Sequence, residues 1–235
     1  MKETILGIDV CTHTYEQLIN ELMYNIDQNK KSFIVAINPE KIMKAQSDQS
    51  LQELLNHATY QIPDGIGVVL ASKIRGGRIK DRVTGIDMML KLCQEATEQR
   101  KNIFLYGAKP GVADQAKEKL EAKFPGIQIA GTLHGYEKDE EVIIKAINDS
   151  KADIVFVALG SPAQENWIVK HMNDLHPTVF QGVGGSYDVI SGNIKRAPST
   201  FQKLGLEWFY RLLKEPWRIR RQLLLPMFLL KAVKK

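Results

Sequence analysis

From residue 30 onward the chain alternates between two hydrophobic periods, and this alternation restricts its fold more than any other feature. "KKSFIVAIN" is rich in β-branched and aromatic residues and reads as a strand. "PEKIMKAQSDQSLQELLNHA" has helical spacing, with Pro39 placed where a first helical turn tolerates a missing N–H. "TYQIP" is a short strand ending at Asp64, and "GIDMMLKLCQEATEQR" is a helix. "KNIFLYGAKPGVADQAKEKLEAKF", "IQIAGTLHGYEKDEEVIIKAINDS", "ADIVFVALGSPAQENWIVKHM" and "TVFQGVGGSYDVISG" each repeat strand, loop and helix. Strands separated by helices of this length form βαβ units. The expectation is an α/β fold, Rossmann-like, with a mostly parallel sheet and helices on both faces. Ligands of such sheets bind in the crevice at the carboxyl ends of the strands.

The texture changes after "KRAP" at 195–198. The remaining "FQKLGLEWFYRLLKEPWRIRRQLLLPMFLLKAVKK" is helical in spacing, aromatic and basic, with breaks at Pro216 and Pro226. The expected organisation is an α/β catalytic domain over 1–194 and a helical appendage of two or three helices over 195–235. Charge marks the same boundary. Residues 195–235 hold 11 Lys/Arg and 2 acids, a net of +9, while residues 1–194 hold 21 and 25, a net of −4. A basic tail on a mildly acidic body suggests an anionic partner, a membrane surface or a nucleic acid. The apolar run "LLLPMFLL" is far short of the roughly 20 residues that span a bilayer. The start, "MKETILGIDV", lacks the apolar core of a signal peptide. Two well-separated cysteines, Cys11 and Cys93, with no CxxC spacing, suggest a reducing compartment and no structural zinc.

Five loops fall at expected strand ends: the one holding Asn38, "DGIG" from Asp64, "GAKPG" from Gly107, "GSPAQE" with Gln164, and "GVGGS" with Gly184 and Gly185. Backbone N–H groups of such loops and the helix N-termini after them favour phosphate. Any one loop serves βα geometry equally well, but several in one α/β body point to a nucleotide-type ligand. "GVGGS" is neither a Walker A loop nor a GxGxxG fingerprint, and the chain has no HExxH, DxD, CxxC or GxSxG. Read locally, Asp64 is best explained as a helix cap, with a catalytic base as the sharper option. Arg82 is either a solvated arginine or a clamp for carboxylate or phosphate. Gln164 either meets ligand or faces water, and His134 reads as structural. The tail has three readings: a packed hairpin with a solvated basic face, an interfacial segment whose aromatics and arginines suit the headgroup layer, or a nucleic-acid binder. The last does not account well for "LLLPMFLL".

Together and in order, "NPE", "PDGIGVV", "RVTGIDMM", "FLYGAKPGVADQA", "HGY", "VALGSPAQENWI", "GVGGSYDVISGNIKRAP" and "LGLEWFYRLLKEPWR" resemble the WecG/TagA/CpsF family of bacterial glycosyltransferases. Within it, the similarity is greatest to the TagA-like N-acetylmannosaminyltransferases of wall teichoic acid synthesis. The resemblance runs from about residue 5 to the C-terminus. It implies an inverting, metal-independent transfer without cofactor. N-acetylmannosamine would pass from UDP-ManNAc to the C4 hydroxyl of GlcNAc-diphospho-undecaprenol. Carried over by position, Asp64 would be the base. Arg82, Gln164, Arg211, Arg218 and Arg221 would handle substrate, joined by Asn38, Gly184 and Gly185 from the strand-end loops. The tail would dock on the inner face of the cytoplasmic membrane and complete the active site, no nucleic acid would be bound, and homo-oligomerisation stays open. One position departs from the pattern: Ala36 stands where several relatives carry a pocket Thr. That leaves UDP-ManNAc uronic acid or another UDP-sugar as an alternative donor. A non-catalytic nucleotide-sugar or lipid-binding module is a second alternative.

Overall fold

The computed structural model describes residues 1–214 and 224–234. A hairpin comes first, β1 (Lys2–Ile5) and β2 (Ile8–Cys11), then α1 (Tyr15–Asp27). There follow β3 (Ser32–Ile37), α2 (Pro39–Ala45), α3 (Gln49–His57), β4 (Tyr60–Pro63), α4 (Ile66–Ile74) and α5 (Gly85–Glu98). Next are β5 (Asn102–Gly107), α6 (Val112–Lys123), β6 (Gln128–Leu133), α7 (Glu140–Asp149), β7 (Ile154–Ala158), α8 (Ala163–His171), β8 (Val179–Gly182) and α9 (Ser186–Ile190). The tail gives α10 (Ser199–Lys203), α11 (Glu207–Lys214) and α12 (Leu224–Lys234).

Strands β3 to β8 form one six-stranded sheet in the order β4-β3-β8-β7-β5-β6, with every neighbouring pair parallel. This is the expected α/β architecture. Because side chains alternate across a strand, one run of apolar residues feeds two cores. In β7, Ile154, Phe156 and Ala158 join the core with α1, α5 and α6, while Val155 and Val157 join the opposite core with α2, α3, α7 and α8. Both cysteines are free and buried in the first of these cores; burial pushes the Cys93 thiol up to about 12 and also raises that of Cys11.

Two local results differ from the sequence expectation. The helix expected over 39–58 is two helices, because Asp48 caps α3 by accepting from the Leu51 N–H at 3.0 Å. The N-terminal hairpin and α1 add elements before residue 30, where the sequence reading assigned none.

The last helix lies on the body. α12 packs against α2 and α4, and Phe228 and Ala232, one turn apart, are fully buried in the second core. Gly67 makes this possible: a Cβ there would stand 2.5 Å from Leu225 Cδ1 and 2.8 Å from Pro39 Cγ. Among the described residues no helix is long and apolar enough to cross a membrane.

Candidate active site

A cleft of about 780 Å³ opens at the carboxyl ends of β3, β4, β7 and β8. That volume suits a ligand of nucleotide-sugar size. The body supplies its floor through Asn38, Asp64, Arg82, Gln164 and the Gly182–Gly185 loop, and the tail supplies a wall through Glu207, Trp208, Tyr210, Lys214 and Leu225.

Each body residue is placed by a local rule. Asn38 is the N-cap of α2 and accepts from the Lys41 N–H at 2.9 Å, with Pro39 at the first helical position; this is why "NPE" stands at the end of β3. Asp64 directly follows β4 but is not the cap residue of the helix after it. The cap position of α4 is Gly65, which makes no side-chain bond. Instead Asp64 Oδ1 accepts from the N–H of Gly85, the first residue of α5, at 3.3 Å. Arg82 Nε donates to the Asp64 main-chain carbonyl at 2.9 Å, which ties the arginine to the loop that carries the carboxylate.

Arg82 also meets the tail. Its Nη1 donates to the Gln202 carbonyl at 3.4 Å, and its Nη2 pairs with Glu207 Oε2. The other Glu207 oxygen accepts from Arg196 Nε at 3.2 Å, and Arg196 forms a two-pronged pair with Asp87, both bonds 2.7 Å. Burial works against ionisation of Asp87. Hydrogen bonds from Arg196 and Thr84, with the charges of Arg196 and Arg82, outweigh it and hold the carboxyl below its usual range. A depressed carboxyl contributes stability that is complete above about pH 4, the ordinary Asp value, and is lost as pH falls through the lower folded value.

Elsewhere on the floor, Gln164 is buried and holds the glycine loop: its Oε1 accepts from the Gly184 N–H at 3.0 Å. Its Nε2 donates to Glu165 Oε1 at 3.2 Å, and the same oxygen accepts from Lys41 Nζ at 2.7 Å. Glu165 is 0% exposed, and its Oε2 has no partner among the described residues.

Thus Asn38, Asp64, Arg82, Gln164, Gly184 and Gly185, separated by up to 147 positions (185 minus 38), line one cleft. Ala36 lines it too. Arg211 lies in α11, but its side chain, and the whole of Arg218 and Arg221, fall outside the described residues. His134 lies away from the cleft and accepts from the Tyr136 N–H at 3.3 Å. Sequence reasoning missed Lys41, Lys195, Glu207 and Lys214 as cleft residues and Arg196 behind them, whereas Asp87 in "TGIDMM" reads locally, like Asp64, as either a cap or a functional carboxylate. The motifs "TGIDMM", "KRAP" and "GLEW" carry Asp87, Arg196 and Glu207, but nothing local pairs them. Among the described residues no three His, Cys, Asp or Glu side chains are grouped so as to hold a metal ion.

Comparison with known proteins gives a consistent result. The family model for the glycosyl transferase WecG/TagA/CpsF family matches residues 3–235. Three curated relatives carry the name N-acetylglucosaminyldiphosphoundecaprenol N-acetyl-beta-D-mannosaminyltransferase. The protein from Bacillus spizizenii is 43% identical over 209 residues, 89% of this chain and 81% of the relative. That from Bacillus subtilis is 39% identical over 234 residues, covering 99% and 91%. That from Staphylococcus aureus is 37% identical over 236 residues, covering 99% and 92%.

Proposed function

The chain belongs to the WecG/TagA/CpsF family of glycosyltransferases, and from that premise we propose that it transfers N-acetylmannosamine from UDP-ManNAc to the C4 hydroxyl of GlcNAc-diphospho-undecaprenol, the teichoic acid linkage-unit step. One observation carries the reading to the residues: six positions singled out in the sequence, by the resemblance or by their strand-end loops, converge on a single cleft.

The chemistry follows from that grouping. Asp64 takes the proton of the acceptor hydroxyl as its oxygen attacks the anomeric carbon of the donor. The bond from that carbon to the diphosphate breaks with its electron pair, and UDP departs from the opposite face, inverting the centre. UDP is a good leaving group, so no second carboxylate is required to protonate it. Charge on the departing diphosphate is met by Arg82, by Lys195 and Lys214 on the rim, and by the Gly185 N–H, that of Gly184 being held by Gln164. Arg211, Arg218 and Arg221 are assigned to the same anionic end. The test is incubation of the purified chain with UDP-ManNAc and a GlcNAc-diphospho-lipid, with UDP-ManNAc uronic acid in a parallel arm. Disaccharide-lipid and UDP in equal amounts are expected in the first arm. Product only in the second would overturn the donor assignment and implicate Ala36; no product in either would overturn the transferase reading.

The acceptor is lipid-linked, so we assign the tail to the inner membrane surface. Opposite the buried Phe228 and Ala232, α12 exposes Met227, Leu230 and Val233, and α11 with the turn before it exposes Leu204, Phe209 and Leu213. An apolar face set in a basic segment suits an anionic interface. Joint replacement Met227→Glu with Leu230→Glu removes two apolar contacts and adds repulsion, so sedimentation with phosphatidylglycerol vesicles should weaken by at least about tenfold. Unchanged sedimentation would move the membrane contact elsewhere.

A further inference from the structure

The segment over 195–214 is joined to the body by a continuous chain of charged groups. Asp87, in the first turn of α5, spends both oxygens on Arg196. Arg196 reaches Glu207, Glu207 reaches Arg82, and Arg82 reaches the Asp64 carbonyl. The chain closes on itself through Gly85, whose N–H bonds the Asp64 carboxylate two residues before Asp87. Glu207 is its central link, 12% exposed, with one guanidinium on each oxygen. At that depth two cations would repel each other without the carboxylate between them, and the carboxylate would be costly without the cations. The same residue opens α11, which brings Trp208 and Tyr210 to the cleft wall. Gly205, at φ +69° and with Ile66 Cγ1 only 3.0 Å from where a Cβ would stand, lets the backbone turn in close beside Asp64's loop.

We propose that Glu207 is a positioning residue: by bridging Arg82 and Arg196 it fixes the 195–214 segment as a wall of the cleft and holds the Arg82 guanidinium at its working place. Glu207 touches no reacting atom and acts through its two arginines. The kinetic part of the inference rests on the transferase reading above; the structural part does not.

The experiment is Glu207→Gln in the full chain, read by hydrogen exchange and by steady-state transfer. Exchange of the α10 and α11 amides should quicken at least about tenfold, with the sheet amides unchanged. kcat/KM should fall about tenfold to a hundredfold, as displacement of a substrate-handling group by about 1 Å does. In an Arg82→Gln background the same Glu207→Gln change should cost several-fold less, because its main route of action is already gone. Unchanged exchange overturns the latch. Quickened exchange with wild-type kcat/KM, or a full additional loss in the Arg82→Gln background, overturns the positioning role. If Glu207→Gln does not fold, Asp87→Asn, which frees the far end of Arg196, is read by the same criteria. Absence of transfer by the wild type would overturn the donor and acceptor assignment while leaving the exchange result to judge the latch.

Discussion

Asp64→Asn should lower kcat by about 10² to 10⁴, the range expected for loss of a general base, while leaving the fold and UDP affinity in place. The substitution separates the two roles open to this carboxylate. Asn caps a helix as well as Asp does. Its amide oxygen can accept from the Gly85 N–H as Oδ1 does now, at 3.3 Å. The contact from Arg82 Nε is to the Asp64 main-chain carbonyl and survives any side-chain change. What Asn lacks is the basicity to accept a proton from the acceptor hydroxyl. A purely structural Asp64 would therefore give near-wild-type turnover. Single-turnover transfer beside UDP titration calorimetry makes the measurement; a kcat within about threefold of wild type, with unchanged UDP binding, would remove Asp64 as the base.

The sheet was legible in the chain because its signal is repeated and local. Each strand from β3 to β8 is a short apolar run with a glycine or proline turn at its end, so each βα unit declares itself. The N-terminal hairpin was not legible, for a specific reason. Its two-residue turn is Leu6-Gly7, both at positive φ (48° and 77°), where Asn-Gly or Asp-Gly would be expected. Leu6 is held there by burial in the second core, a tertiary gain that no local pattern displays. α1 did carry a signal, the Thr14-x-x-Gln17 capping box, and both of its reciprocal bonds form.

For the cleft, motif resemblance pointed to residues at strand ends but not to what holds them. On local grounds Asp64 reads as the cap of the helix that follows it. In the fold it reaches 21 positions ahead to the start of α5, a contact set by the pairing of β3 with β4 and the return of the chain at Val83. Arg82 and Glu207 are 125 positions apart, and Arg196 and Asp87 are 109 apart. Charge pairing over such separations is not encoded in spacing; it emerges once the tail folds back over the strand ends.

Lys41→Met should destabilise the molecule by about 3–5 kcal/mol, because it strands a buried carboxylate. Glu165 is 0% exposed, and Lys41 Nζ, at 2.7 Å, is the cation that compensates it. Gln164 Nε2 donates to the same oxygen but brings no charge, and the other oxygen has no partner among the described residues. For a chain of this size that loss corresponds to a drop in melting temperature on the order of 10 °C. The double variant Lys41→Met with Glu165→Gln should recover most of the stability, since a neutral amide can still accept from Gln164 while needing no counter-ion. Urea denaturation of both variants tests this; a single variant as stable as wild type would show that Glu165 does not depend on Lys41. Transfer by the double variant then separates support from chemistry. Gln164 would again hold the Gly184 N–H, so recovery of kcat/KM along with stability would make the Lys41–Glu165 pair a brace for the glycine loop. Recovery of stability alone, with the UDP-sugar KM still raised, would place the Lys41 charge among the groups that meet the diphosphate, consistent with its position on the cleft wall.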